Sequence, residues 1–290
     1  MNRPNFIILG AMKSATSTLQ KQLVMQPNMF MTTPKEPNYF SNDEVFQNGE
    51  QWYSDLYKSA ATDDLVGEAS THYTKLPRYP ETVARAQAYA PGAKLIYVMR
   101  HPIDRLVSHY IHNWTQGFVG KNVGIEEALE SYENFVSYSC YEKQIKPWID
   151  AYGADNVLPV FFDRLRAFPQ TELERVCKFI GYQGEVRWVE SEKADNVSSE
   201  RVRKFPLYSL LVESKAATWA RSFIPRGLRE KAKSRLRMQA RPELSDDTVA
   251  RLTAIFDADL GMLGTRLGVQ LHCGNFKSCT RESVLDWVER

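Results

Sequence analysis

The chain has 290 residues, with 37 lysines and arginines against 35 aspartates and glutamates, for a formal net charge of +2. Hydrophobic residues make up 43% and charged residues 25%, ordinary for a globular protein with one substantial core. The near-even charge gives no signature of a nucleic-acid binder, and the longest apolar runs are strand-sized, far too short to span a bilayer.

The first predicted strand, Asn5–Gly10, runs into the turn Gly10-Ala11-Met12-Lys13-Ser14-Ala15 and then a helix over Ser17–Met25. This order builds an anion cradle. A helix start leaves backbone N–H groups unpaired and adds partial positive charge, to which Lys13 contributes a full one. Thr16, Ser17 and Thr18 add hydroxyl donors. A nucleotide-triphosphate loop needs a glycine directly before its lysine, and here Met12 stands there.

Next comes the loop Thr33-Pro34-Lys35-Glu36-Pro37-Asn38-Tyr39-Phe40, then a helix over Glu50–Tyr57 and a strand over Leu65–Glu68. That strand opens the stretch Gly67-Glu68-Ala69-Ser70-Thr71-His72-Tyr73-Thr74. A helix is predicted over Pro80–Ala90 and a strand over Lys94–Met99. Arg100 lies at the carboxyl end of that strand, and Pro102 is suited to open the helix predicted over Ile103–Gln116, which places Ser108 two turns along. An arginine and a serine so placed can hold a second phosphate.

Further helices are predicted over Ile125–Ser131, Tyr141–Tyr152 and Pro169–Ile180, with a strand over Asn156–Phe162 before the last. Asn196–Lys204 reads as a polar loop, followed by helices over Leu207–Ala220, Arg226–Met238 and Asp246–Leu267. Arg201 to Arg241 holds 12 lysines and arginines against two glutamates, either a solvated helical face or one for peripheral contact with a membrane or polyanion. The alternation of strands and helices predicts one α/β domain over 1–290, with a central, mainly parallel sheet and a helical C-terminal part. Ligand sites in such sheets gather at the carboxyl ends of the strands. Neither the five histidines nor the four cysteines show zinc-ligand spacing, so no metal is expected. Asn2 and Arg3 lead directly into the first strand, which leaves no room for a signal peptide and fits a cytoplasmic enzyme.

Taken together, the motifs resemble those of sulfotransferases that use 3′-phosphoadenosine 5′-phosphosulfate (PAPS), nearest in pattern to the glycan and heparan-type enzymes and their bacterial relatives. The resemblance spans about residues 5 to 267 and implies a P-loop-NTPase-like three-layer fold. It assigns Gly10, Lys13, Ser14, Ala15, Thr16, Ser17 and Thr18 to the 5′-phosphosulfate loop, and Arg100 and Ser108 to the 3′-phosphate. Asp104 and Arg105 match the same pattern as braces of the helix. Arg201, Arg203 and Lys204 fall where relatives close a basic loop over adenosine 3′,5′-bisphosphate. Glu36 becomes the candidate base and Lys13 the catalytic cation at the leaving phosphate, and His72 and His101 are rivals for the base. Lys35, Ser70, His72 and Tyr73 become candidate acceptor contacts, while Glu68 reads as a structural acceptor. Several animal relatives carry a lysine after that glutamate, where this chain has Ala69. The implied reaction is in-line sulfuryl transfer to a hydroxyl or amine of a carbohydrate, a lipid (a glycolipid included) or a small molecule, without a metal. A small-molecule kinase and a non-catalytic nucleotide or polyanion binder are the alternatives.

Overall fold

A computed structural model describes residues 3–190, 203, 238 and 240–288. Five strands form one sheet: β1 (Phe6–Gly10), β2 (Met29–Met31), β3 (Leu65–Ala69), β4 (Lys94–Met99) and β5 (Val157–Phe161). Their order is β2-β3-β1-β4-β5, and every pairing is parallel. Four of these strands coincide with the predicted ones to within a residue. The fifth, Met29–Met31, is too short for alternation to reveal. Phe162, expected to end a strand, instead opens a helix over Phe162–Ala167.

Parallel strands joined by helical crossovers are covered on both faces, and the side-chain alternation shows it. Ile7, Leu9, Leu95, Tyr97, Met99, Val157 and Phe161 point to one face, into a core with Leu106, Tyr141, Ile145, Trp148, Phe256 and Leu260. Phe6, Ile8, Ile96, Val98, Leu158 and Val160 point to the other, against Leu19 and Leu23 of helix Thr16–Val24 and Leu173 and Val176 of helix Pro169–Phe179. The result is a three-layer sandwich, as expected.

Helix Asp246–Leu267 matches its predicted bounds and locks the C-terminal part to the body. Asp259 accepts the backbone N–H groups of Glu142 and Lys143 at 3.0 and 3.1 Å, satisfying the start of helix Tyr141–Tyr152. Arg266 donates to Glu142 at 2.7 Å. Cys273 and Cys279 are free thiols. The predicted helix Leu207–Ala220 lies outside the described residues. So does Arg226–Met238 apart from Met238, and the basic stretch 201–241 apart from Arg203, Met238, Ala240 and Arg241. Among the described residues no helix is long and apolar enough to cross a membrane.

The order β3-β1-β4 sets three strand ends side by side, with β1 in the middle. β1 shifts its register against β4 between Ile8 and Gly10, and Gly10 takes φ +146°. A Cβ there would lie 2.2 Å from Thr74 Oγ1, whose hydroxyl donates to Leu9 O at 3.0 Å. Gly10→Ala should therefore destabilise the fold by about 1–3 kcal/mol through backbone strain alone, and by more through the clash. Denaturant melts of G10A beside G10A/T74A should show the double variant recovering only the clash.

Candidate active site

Beyond Gly10 the loop turns back tightly. Lys13 and Ala15 both take φ 70°, a left-handed conformation unusual for residues other than glycine. Ala11 N–H bonds Val98 O at 2.8 Å and Ser14 N–H bonds Ala11 O at 3.2 Å, which pins the loop to β4 and to itself. Helix Thr16–Val24 follows with Ala15 as its N-cap and no side chain capping it. Leu19 N–H is the first to reach back, to Ala15 O. The amides of Thr16, Ser17 and Thr18 thus precede the helical ladder, the arrangement that favours an anion. Half-buried Lys13 has its pKa lowered by burial, with the charges of Arg100 and Lys35 adding to the effect.

Arg100 closes the β4 side. One hydroxyl, that of Tyr141, accepts Arg100 N–H at 3.2 Å and donates to Arg100 O at 2.5 Å, fixing the backbone. The guanidinium lies 4.6 Å from the Phe162 ring centre and donates through Nη1 to Lys13 O at 3.3 Å. Its Nε is buried without a partner among the described residues. Helix Pro102–Gln116 then starts with proline in its first turn, and carries half-buried Ser108 about 9 Å along its axis from Pro102. Arg105 is fully buried and braces this helix, donating to Ser139 Oγ at 2.5 Å and Phe135 O at 2.7 Å. Asp104 pairs with Lys277 at 2.6 Å.

The β3 side brings the carboxylate. Glu36 takes φ 58° and Asn38 φ 56°, and Glu36 N–H bonds Ala69 O at 3.1 Å. Lys35 Nζ donates to Ser17 Oγ at 2.5 Å and lies 3.5 Å from Glu36 Oε1. Thr71 Oγ1 donates to Glu36 Oε2 at 3.1 Å. Lys13, Ser17, Lys35, Glu36 and Arg100, distant in sequence, thus meet at the ends of three neighbouring strands.

Ser70 and Tyr73 stand elsewhere than on the wall of this site. Both are buried beneath it, with their hydroxyls spent on Glu68: Ser70 donates to Oε2 at 2.7 Å and Tyr73 to Oε1 at 2.7 Å. Tyr53 adds a third hydroxyl at 2.5 Å. Burial raises the Glu68 pKa and the three donated bonds oppose it. Glu68 is the structural acceptor expected, and its partners reach the Glu36 loop. Ser70 Oγ accepts Asn38 N–H at 3.1 Å, and Tyr73 OH accepts Phe40 N–H at 3.5 Å.

His72 is stacked on Tyr79 with ring centres 5.1 Å apart, and burial pushes its pKa down to about 4, leaving it a weak proton acceptor. His101 is engaged structurally, its Nδ1 accepting Asp104 N–H at the start of helix Pro102–Gln116 and its Nε2 lying 3.2 Å from Cys273 O. Arg203 donates to Trp114 O at 3.2 Å and lies 5.3 Å from that ring, near the far end of the same helix. Arg201 and Lys204 fall outside the described residues. Thr71 and Tyr141 were not singled out from sequence, since a hydroxyl announces its partner only once the chain is folded. Among the described residues, no three His, Cys, Asp or Glu side chains are grouped to hold a metal ion.

Residues 3–264 match the family model of the sulfotransferase domain. The heparan sulfate glucosamine 3-O-sulfotransferase 3B1 of Mus musculus is 27% identical over 188 residues, which cover 61% of this chain and 46% of that protein. The bifunctional heparan sulfate N-deacetylase/N-sulfotransferase 2 of Homo sapiens is 26% identical over 199 residues, 61% of this chain and 22% of that protein. The match thus spans less than half the length of either relative. Among solved structures, a sulfotransferase from Alicyclobacillus acidocaldarius shares the fold with a TM-score of 0.67, at 22% identity and over 93% of this chain and 98% of that one.

Glu68→Gln should loosen the Glu36 loop, because an amide N–H₂ would face hydroxyls that now donate to an oxygen. The expected loss is about 1–3 kcal/mol, read as a lower thermal midpoint. Tyr57→Phe, which removes only the outer hydroxyl of the network, should cost less; an equal midpoint for E68Q and wild type would refute the anchoring role.

Proposed function

The chain belongs to the sulfotransferase domain family, and on that footing we propose that it moves a sulfuryl group from PAPS to a hydroxyl or amine of a carbohydrate or small-molecule acceptor. The observation that carries this reading is the pair of anion-binding features on one sheet edge. One is the loop at Lys13; the other is Arg100, whose buried Nε lacks a partner among the described residues while its Nη1 holds the same loop. A nucleotide with phosphate groups on both its 5′ and 3′ positions fits two such features, and a single phosphate needs only one. The donor supplies an activated sulfuryl group, whose bond to the 5′-phosphate breaks as the acceptor attacks.

The chain's own residues divide the work. Lys13, the amides at the start of helix Thr16–Val24 and the hydroxyls of Thr16, Ser17 and Thr18 would hold the 5′ end and balance charge gathering on the leaving oxygen. Arg100 and Ser108 would take the 3′-phosphate. Glu36 would accept the proton of the attacking hydroxyl or amine. Its two oxygens are already oriented, one by Thr71 and one by Lys35, and Lys35 ties it to Ser17 of the donor loop. The carboxylate is thus coupled to the loop that carries the donor. The named relatives act on heparan sulfate, which makes a carbohydrate the first acceptor to screen.

Calorimetry without magnesium should show adenosine 3′,5′-bisphosphate binding at micromolar or tighter affinity, with AMP much weaker. Arg100→Ala should weaken it at least about tenfold. A preference for ATP with magnesium would overturn the reading in favour of a kinase.

Glu36→Gln should leave that affinity unchanged and lower kcat about 10²- to 10⁴-fold. Unchanged turnover would remove Glu36 as the base.

The affinity should also fall as pH rises. The ammonium form of Lys13 binds the anion, and its lowered pKa means that form is lost earlier than in an ordinary lysine. Lys13→Met should flatten this part of the pH profile.

A further inference from the structure

The family model ends at residue 264, and the described chain runs on to Val288. Its last stretch holds a short helix, Phe276–Glu282, which lies against the helix Phe162–Ala167 after β5. Both ends of this stretch are fixed. Cys273 N–H bonds Asp257 at 2.7 Å, and Cys273 O lies 3.2 Å from His101 Nε2. Phe276 is fully buried, its ring centre 6.0 Å from those of His101 and Phe161. It lies 6.4 Å from the ring of Tyr141, whose hydroxyl holds the Arg100 backbone. At the other end Arg164 donates to Arg281 O at 3.1 Å, and Arg175 donates to Leu285 O at 2.8 Å. Glu172, with no exposed surface, pairs with these two arginines at 2.8 and 3.3 Å. Trp287 Nε1 donates to Val157 O at 2.7 Å.

This mounting sets Lys277 beside the second anion site. Its ammonium pairs with Asp104 Oδ2 at 2.6 Å, and Arg241 lies 3.7 Å from Oδ1. Asp104 belongs to the first turn of helix Pro102–Gln116, and with Asp163 it acts electrostatically on Arg100. Both carboxylates are half-buried, and Asp163 Oδ2 has no hydrogen-bond partner among the described residues. Two negative charges at that depth, where salt screens them poorly, oppose a phosphate approaching Arg100. Lys277 counters both. Burial would raise the Asp104 pKa, but the hydrogen bond and charge of Lys277 outweigh it, with His101 and Arg100 adding, and the value is lowered. Burial does raise the Asp163 pKa, with Lys277 the largest opposing charge, Arg100 the next and Asp104 reinforcing the rise.

We propose that Lys277 is a positioning residue of the donor site: it offsets Asp104 and Asp163 so that a phosphate can reach Arg100, and the segment Cys273–Trp287 holds it in place. This rests on the donor reading above, in which Arg100 takes the 3′-phosphate, and it extends the site to a part of the chain beyond the family model. Lys277 acts through the carboxylates and not on the ligand. A lysine on a loose surface segment would contribute little, because ordering it consumes the gain; here Phe276, Arg164 and Arg175 have already ordered the backbone. The effect falls on selectivity, since AMP carries no phosphate to meet Arg100.

The test is calorimetry on the full chain, comparing adenosine 3′,5′-bisphosphate with AMP. Lys277→Met should weaken the bisphosphate about tenfold and leave AMP unchanged. It should melt within about 3 °C of wild type, as expected when a half-exposed ion pair is lost. Lys277→Arg should keep the wild-type preference. Asp104→Asn removes a charge that Lys277 offsets, so K277M/D104N should recover most of the loss. A preference unchanged in K277M overturns this inference alone, and so does an equal loss of both ligands, which marks a merely structural role. A double variant as weak as K277M also overturns it, because Lys277 would then touch the phosphate itself. Wild type that does not prefer the bisphosphate to AMP overturns the donor reading, and this inference with it.

Discussion

A carboxylate with no exposed surface sits under the centre of this protein, and the candidate site is arranged around its needs. Burying the charge of Glu68 is costly unless hydrogen bonds replace water. Three hydroxyls do so, from Tyr53, Ser70 and Tyr73. Each belongs to a different neighbourhood: the helix Gly49–Asp55, the end of β3, and the 3₁₀ turn beyond it. Two of the three then accept backbone amides from the loop that bears Glu36. The buried acid therefore acts as a hub, and what it organises is the placing of a second acid at the surface.

The need for a hub follows from the backbone. Lys13, Ala15, Glu36 and Asn38 all take left-handed conformations, in the two loops that meet at the site. Each such residue costs roughly 1–2 kcal/mol unless surrounding contacts enforce it. The loop after β1 is held by its bond to β4 and by Arg100. The second loop is held by Ala69, Ser70 and Tyr73. Strain of this kind persists where the frame is rigid, and a parallel sheet buried on both faces is such a frame.

Much of this was legible in the sequence, and the boundary between legible and hidden is physical. β1, the glycine turn and the helix after it are encoded in consecutive residues, so this strand–turn–helix unit could be read directly. Arg100 and Pro102 mark a strand end and a helix start by the same local logic. Lys35 and Glu36 could be proposed as a pair, but their bonds to Ser17 and Thr71 depend on β1 and β3 lying side by side. Ser70 and Tyr73 show the limit more sharply. The family resemblance implies that they contact the acceptor, and only the folded position of buried Glu68 shows why their hydroxyls turn inward instead.

Lys13, Lys35, Lys75 and Arg100 are all at least half-buried, and Glu36 is the one carboxylate shared among the three lysines' surroundings in the described structure. The lysines' pKa values are all lowered, chiefly by burial, so the empty protein bears an unfavourable electrostatic load. A fold selected only for stability would shed these charges, since isolated buried cations are worse than apolar residues of similar size. Their presence is explained if an anion completes the arrangement, because a ligand that binds the folded form alone also stabilises it. The same argument applies on both sides of Glu36. On one side the cations face the amides at the start of helix Thr16–Val24, and on the other side Lys75 lies 5.9 Å from the Tyr138 ring centre. The carboxylate between them offsets part of that load, its charge opposing the lowering of the lysines' pKa values on either side.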